Sequence, residues 1–345
     1  MKQLLWLWIL TIMSACGSPA PEAMVDKGWR QYKAAFVSPD GSVADTGNKG
    51  ISHSEGQGYA MLLAEAYGDR SGFERLWRWT RSHLQVRDDY LFAWRWSRQK
   101  GVEDKNNATD GDLLIAWALY RAGKRWQHVE YSEAALFIVR DIRSKLVKQV
   151  GDYWVLLPGE YGFVKENTWQ VNLSYWVYPA LEELAVLDRS SVWQKLIQSG
   201  KTLTALSRQG RWNLPPDWIE LKPGSAPTVS AERPPRFGYE VVRVPLYLIW
   251  AGDFDEKIIK DSSDFWSQTA SKDYAPAWVD LTSGEVAEYE APDGFKAVHN
   301  LSKLALDKPT DSAKDLMSID LKEQDYYSSS LILLSRIAYH ERLKQ

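Results

Sequence analysis

The feature that most constrains this chain is the recurrence of apolar residues at helical spacing in segment after segment, with almost no alternating runs between them. Such segments are expected at Asp26–Phe36, from Ser54 through Ala66, and at Ser71–Gln85, Thr109–Gly123, Tyr131–Val147, Leu173–Leu187, Ser190–Leu206, Phe254–Ala270, Phe295–Leu306 and Tyr326–Lys344. Thr109 or Asp110 is placed to cap the fourth of these and Gly123 to stop it, while Pro179 interrupts or starts the sixth. The apolar run Val241–Ala251 reads as core, Asp152–Leu157 as a short strand, Thr282–Gly294 as a small hairpin and Trp212–Trp218 as a rigid loop. Ten to twelve helices across 24–345 allow about 27 residues for each helix and its connection, a helical-hairpin length. No composition shift marks a boundary, so residues 24–345 are expected to form a single all-α domain with minor β-strand content.

The 42 Lys plus Arg against 45 Asp plus Glu leave a net charge of −3, which provides no basic field for nucleic acid or an anionic membrane. The 18 Trp and 17 Tyr are first of all core residues, yet so many amphipathic rings also suit a cleft that stacks on flat ligands. At the N-terminus, Lys2, an apolar run from Leu4 to Met13 and then Ser14-Ala15-Cys16-Gly17 read as an export signal, residues 1–23, too short to span a membrane. Cys16 is the sole cysteine, so no intramolecular disulfide can form. Its position resembles the bacterial lipoprotein box, with Met13 in place of the usual Leu, and implies a lipid anchor on a periplasmic or outer-membrane protein; cleavage near Ala20 or Ala23 would give a simply secreted one.

Three acidic positions stand in unusual surroundings. Glu55 opens a helix pattern in Ile51–Ala64 and is followed by Gly56 and Gly58; each glycine costs about 1 kcal/mol relative to Ala inside a helix and asks for a close neighbour. Ser54 is placed to cap that helix. Asp110 and Asp112 lie in A-T-D-G-D-L-L-I-A-W-A-L, where helix capping is the plain alternative, and Glu240 lies in F-G-Y-E-V-V-R-V-P-L-Y. Glycoside hydrolysis needs a protonated carboxyl for the leaving oxygen and an ionised one to activate water or attack the anomeric carbon. An apolar setting near other carboxylates raises a carboxyl's pKa, which is the state expected for Glu55. The five histidines form no H-E-x-x-H motif and there is no cysteine cluster, phosphate loop or nucleophile elbow, so no metal or cofactor is expected.

The segments S-E-G-Q-G-Y-A-M-L-L-A and A-T-D-G-D-L-L-I-A-W-A-L-Y-R-A-G-K-R-W resemble the catalytic-acid segment and signature of glycoside hydrolase family 8, and L-F-A-W-R-W, N-L-S-Y, P-P-D-W and R-V-P-L-Y-L extend the resemblance from Trp29 to the last helix. The likeness is to the endoglucanases that accompany bacterial cellulose synthesis. It implies an alpha/alpha toroid of six inner and six outer helices, inversion at the anomeric carbon and a cellulose chain as partner, with xylan, mixed-linkage glucan and chitosan as the family's other substrates. Glu55 falls on the proton donor, Asp110 or Asp112 on an aspartate that holds the sugar beside the scissile bond, Arg243 on an arginine beside the base and Tyr175 on a tyrosine of the cleft. Trp94, Trp96 and Trp169 are candidates for stacking on glucose, and the glycines after Glu55 become clearance for a sugar chain.

Glu240 stands where related cellulases carry the aspartate base. Its extra methylene moves the carboxyl by about 1.5 Å, and a misplacement of about 1 Å can cost on the order of 100-fold in rate. The expectation is therefore an endo-acting β-1,4-glucanase, with a carbohydrate-binding protein of weakened catalysis as the alternative from another class.

Overall fold

The computed structural model describes residues 27–344, apart from 255, 270–273 and 307–310. The expected export signal and Cys16 lie outside the described residues. In chain order the α-helices are α1 (Lys27–Phe36), α2 (Ser54–Ala66), α3 (Arg70–His83), α4 (Thr109–Trp126), α5 (Val129–Asp141), α6 (Tyr178–Asp188), α7 (Val192–Leu206), α8 (Arg243–Ala251), α9 (Lys257–Thr269), α10 (Asp293–Ala305), α11 (Asp311–Ser318) and α12 (Tyr326–Arg342). The even-numbered helices form a closed inner ring, α2 on α4, α4 on α6, α6 on α8, α8 on α10, α10 on α12 and α12 back on α2. The odd-numbered helices pack outside it, for example α3 on α2, α5 on α4 and α7 on α6. The fold is an all-α toroid of six inner and six outer helices.

The sequence explains which helices go inside. In α2, residues Gly56–Glu65 are buried without a break, and in α12 Ser328–Ala338 are; a helix that is apolar or small all round must be surrounded by others. Outer helices such as α3 bury one stripe, Phe73, Leu76, Trp77 and Thr80, and turn arginines outward. The close approach of the inner helices is made at glycine. A Cβ on Gly58 would stand 2.6 Å from Leu114 Cβ, and one on Gly111 would stand 2.7 Å from the Glu55 amide nitrogen, so α2 and α4 meet nearly backbone to backbone. These glycines, with Gly56 against the Tyr326 hydroxyl at 2.9 Å, serve helix packing and not clearance for sugar as the resemblance suggested.

Several local expectations change. The cap of α2 is His53, whose Nδ1 accepts the Gly56 N–H at 3.1 Å, and not Ser54, whose Oγ is buried without a partner. Neither Thr109 nor Asp110 caps α4: Thr109 Oγ1 donates to Leu157 O at 2.6 Å, and Asp110 Oδ1 accepts the neighbouring Gly111 N–H at 2.8 Å. Gly123 does not stop α4; it lies inside the helix where a Cβ would meet Ser132 Oγ at 2.3 Å, and Gln127, with φ 54°, ends it. Pro179 sits in the first turn of α6, where its missing N–H costs nothing. The strand at Tyr153–Leu156 pairs with Val147–Val150, and a four-stranded antiparallel sheet, 164–165, 168–172, 218–221 and 228–229, lies beside the mouth of the ring.

Candidate active site

The site is organised by one guanidinium. Arg243, the first residue of α8, is buried, and its Nη1 donates to Glu55 Oε2, to the Tyr59 hydroxyl at 3.2 Å and to Asp110 Oδ2 at 3.3 Å. Its Nη2 donates to Glu240 Oε2 at 2.5 Å and to Ser174 Oγ at 2.7 Å. Four elements of the ring therefore converge: α2 supplies Glu55 and Tyr59, α4 supplies Asp110, the turn before α8 supplies Glu240, and the short helical turn Leu173–Tyr175 supplies Ser174. A planar five-donor fork is the side chain suited to holding three carboxylates at fixed mutual angles. Because Glu55 and Glu240 bind the two terminal nitrogens of one guanidinium, their near oxygens lie within about 7 Å, at or below the short end of the roughly 6.5–9.5 Å of an inverting site.

Each carboxylate is held differently. Burial pushes the Glu55 carboxyl up, but Arg243, His53 and a hydrogen bond with Asp110 outweigh it and leave Glu55 below the ordinary range. Asp110 is pushed well above it, by burial first and then by the Glu55 charge. The two carboxyls are coupled, and their pKa values are driven apart, Glu55 downward and Asp110 upward. This reverses the expectation that Glu55 itself would have the raised pKa; the reason is its close contact with Arg243. His53 lies beside Glu55, with Nδ1 against the Gly56 N–H at 3.1 Å and Nε2 against Asp45 Oδ2 at 3.2 Å.

The structure separates Asp110 from Asp112. Asp112 points away from Arg243, accepting Phe92 N–H at 2.9 Å and Asn107 Nδ2–H at 2.7 Å, and ties the loop before α4 to the helix. Tyr175 is half-buried with its ring 6.3 Å from that of Trp218; burial and then the charges of Asp110 and Glu240 raise its phenol well above its usual value. Trp94 is half-buried, its Nε1 donating to Asp104 Oδ2 at 2.9 Å and its ring covered by the Arg95 guanidinium at 5.1 Å. Trp96 packs edge-on against Trp79 at 5.2 Å, and Trp169 lies in the strand Thr168–Asn172 with a buried Nε1 that has no partner.

Three further side chains take part. Tyr59 lies in the buried run of α2, and its hydroxyl also pairs with that of Tyr247 at 3.0 Å. Ser174 is fixed by Asn172, whose Oδ1 accepts both its N–H at 2.9 Å and its hydroxyl at 2.7 Å, so the N-x-S of N-L-S-Y was the available signal. Asp217, inside P-P-D-W, accepts backbone N–H groups from the turn that carries Glu240.

A family model described as glycosyl hydrolases family 8 matches residues 1–341. The chain belongs to that family. It is 42% identical over 336 residues to a probable endoglucanase of Novacetimonas hansenii, covering 96% of each chain, and 36% identical to an endoglucanase of Cellulomonas uda, over 85% of this chain and 82% of that one. Among solved structures, an endo-beta-1,4-glucanase of Acetobacter xylinum superposes with a TM-score of 0.85 at 40% identity, covering 93% of this chain and 99% of the other. The family 8 enzyme is thus similar to endoglucanases over nearly its whole length.

Proposed function

We propose that Glu55 and Glu240, held on opposite nitrogens of Arg243, are the acid and base of an endo-acting β-1,4-glucanase, and that Asp110 is the aspartate that shares the acid's proton and holds the sugar. The family 8 chain hydrolyses β-1,4-glucosidic bonds in cellulose or related β-glucan with the inversion typical of its family. The observation that supports the assignment is the convergence of three carboxylates on one buried guanidinium at the ends of inner helices.

A glycosidic oxygen arriving at Glu55 draws the shared proton from Asp110 through Glu55, and the bond from the anomeric carbon to that oxygen breaks as the oxygen is protonated. On the opposite face a water gives its proton to the Glu240 carboxylate while its oxygen bonds to the anomeric carbon. Arg243 holds Glu240 in place for this step through Nη2 and gives up part of its grip on Glu55 when that carboxyl becomes neutral. Tyr175, facing both Asp110 and Glu240, borders the ring at the scissile bond, and the Trp94, Trp96 and Trp169 indoles extend the cleft along the chain.

The test is viscosity loss of a soluble cellulose derivative. Glu55→Gln and Glu240→Gln should each lower turnover by about 10²–10⁴, the worth of a general acid or base, while oligosaccharide binding persists. A wild-type chain that binds oligosaccharide without lowering viscosity is a carbohydrate-binding protein instead. We further propose that one catalytic domain from residue 24 is exported by the segment before it, lipidated at Cys16, and works on cellulose as the cell makes it. Among the described residues no helix is long and apolar enough to cross a membrane. Unchanged processing and membrane fractionation in Cys16→Ala would remove the anchor, and unchanged cellulose yield on deletion would remove the link with synthesis.

A further inference from the structure

Glu240 is one methylene longer than an aspartate, and something must fix the backbone from which it reaches Arg243. Asp217 stands between Pro216 and the strand Trp218–Leu221, and its Oδ1 accepts three amide N–H groups, from Gly238 at 3.1 Å, Glu240 at 3.2 Å and Val241 at 2.9 Å. The turn is closed on its other side by Arg243, whose N–H and Nε both donate to Glu240 O, at 3.2 and 3.3 Å. Glu240 is therefore gripped at its amide by Asp217 and at its carbonyl by Arg243. All three amides go to Oδ1, and Asp217 and Glu240 line a cavity of about 270 Å³ together with Arg233, Arg236, Tyr239 and Tyr289. The two arginines in that wall are stacked on indoles, Arg233 on Trp218 at 4.8 Å and Arg236 on Trp278 at 3.6 Å.

We propose that Asp217 is the positioning residue of the base: its three amide bonds set the backbone so that the longer Glu240 side chain ends at the water-activating position. This rests on the reading of Glu240 as base. The charge coupling agrees in sign with the geometry. Burial, and then the Glu240 charge, push Asp217 up to about 7 against the pull of its three amides. Asp217 therefore ionises as pH rises through that value, and the ionised carboxylate is the stronger acceptor of the three amides. Arg233 and Arg236 line the same cavity, and the net shift of Asp217 is upward all the same.

The experiment measures kcat, KM and thermal melting for the full chain on a soluble cellulose derivative between about pH 5 and pH 9, the range that brackets the expected titration. Asp217→Asn keeps an acceptor for the turn and loses the charge. Its kcat should fall about 10- to 100-fold with KM changed less than about threefold, and the rate change centred near pH 7 should vanish. Wild-type kcat and profile in Asp217→Asn would overturn the proposal, as would an unchanged kcat with a raised KM, which marks a sugar contact. If Asp217→Asn does not fold, Glu240→Asp tests the positional claim alone: it withdraws the carboxyl by about 1.5 Å from a backbone Asp217 holds fixed, so kcat should fall, and full activity would refute the claim. Full activity in Glu240→Gln instead overturns the base assignment itself, and an inactive Asp217→Asn beside it would make Asp217 the proton acceptor.

Discussion

Replacing Gly111 by alanine should force α2 from α4 at the point where Glu55 begins. The added Cβ would lie 2.2 Å from Ser54 Oγ, 2.7 Å from Ser54 Cβ and 2.7 Å from the Glu55 amide nitrogen. Rotating Ser54 relieves only the first contact; the other two involve atoms that cannot turn aside. Restoring ordinary van der Waals separation needs the Glu55 backbone to retreat by somewhat less than 1 Å, and overpacking of this kind costs about 1–3 kcal/mol. A catalytic group displaced by about 1 Å loses on the order of 100-fold in rate, so a modest stability loss should accompany a large fall in kcat. Gly58→Ala is the matched control. It strains the same helix pair, with Leu114 Cβ at 2.6 Å, but about a turn further along α2 and away from Glu55. Thermal melting and hydrolysis of a soluble cellulose derivative, measured on both variants, separate the effects. Both should melt a few degrees lower, and only Gly111→Ala should lose more than about tenfold in kcat. Equal kcat losses in the two, or a Gly111→Ala with wild-type kcat, would refute the idea that backbone contact at this glycine sets the position of the acid.

Removing the central charge should be more damaging to the fold. Arg243→Met leaves Glu55, Asp110 and Glu240 without a counter-ion, and breaking a buried ion pair from one side costs about 3–5 kcal/mol, readable as a large fall in melting temperature with activity abolished. Arg243→Lys keeps the charge but lacks the fork, so it should melt between Arg243→Met and wild type and still turn over slowly. Asp112, pushed up to about 7 by burial, binds its proton more tightly in the folded chain than in the unfolded one. Its stabilising contribution is therefore complete below the ordinary carboxylate pKa and lost as pH rises through about 7; melting temperature should decline across that window, and Asp112→Asn should flatten the decline. His53→Ala removes the acceptor of the Gly56 N–H and should cost about 1 kcal/mol of stability, read by denaturant unfolding, with Glu55→Gln as a comparison that leaves the cap in place.

The parts of the site that could be read from the sequence are those whose signal is local. Glu55 stands at a helix start before two glycines, and Arg243 lies three residues from Glu240 at the head of an apolar run, so each is marked by its own neighbours. Helix-forming segments were legible for a similar reason, and burial is continuous over ten residues or more in α2 and α12; the closed ring itself was expected from the resemblance. What could not be read depends on helix phase or on distant pairing. Asp110 and Asp112 are two residues apart on one helix and so project roughly 200° apart; which one meets Arg243 follows from how α4 is rotated against α2, and that rotation is fixed by Gly58 and Gly111 fitting against backbone. The same contacts explain why these glycines serve the packing of helices. Asp217 escaped notice because its partners lie 21 to 24 residues further on, across the strands at 218–221 and 228–229, and strands of two to five residues leave almost no periodic trace. The short helix α11, eight residues with only Ser312 and Leu316 buried, is invisible for the same physical reason. The direction of the Glu55 shift depends on a distant partner as well. Raising the pKa of Glu55 by burial is sound for a carboxyl alone, but a guanidinium in direct contact with Glu55 and only 3.3 Å from Asp110 divides the pair unequally, and the upward shift falls on the more weakly paired member.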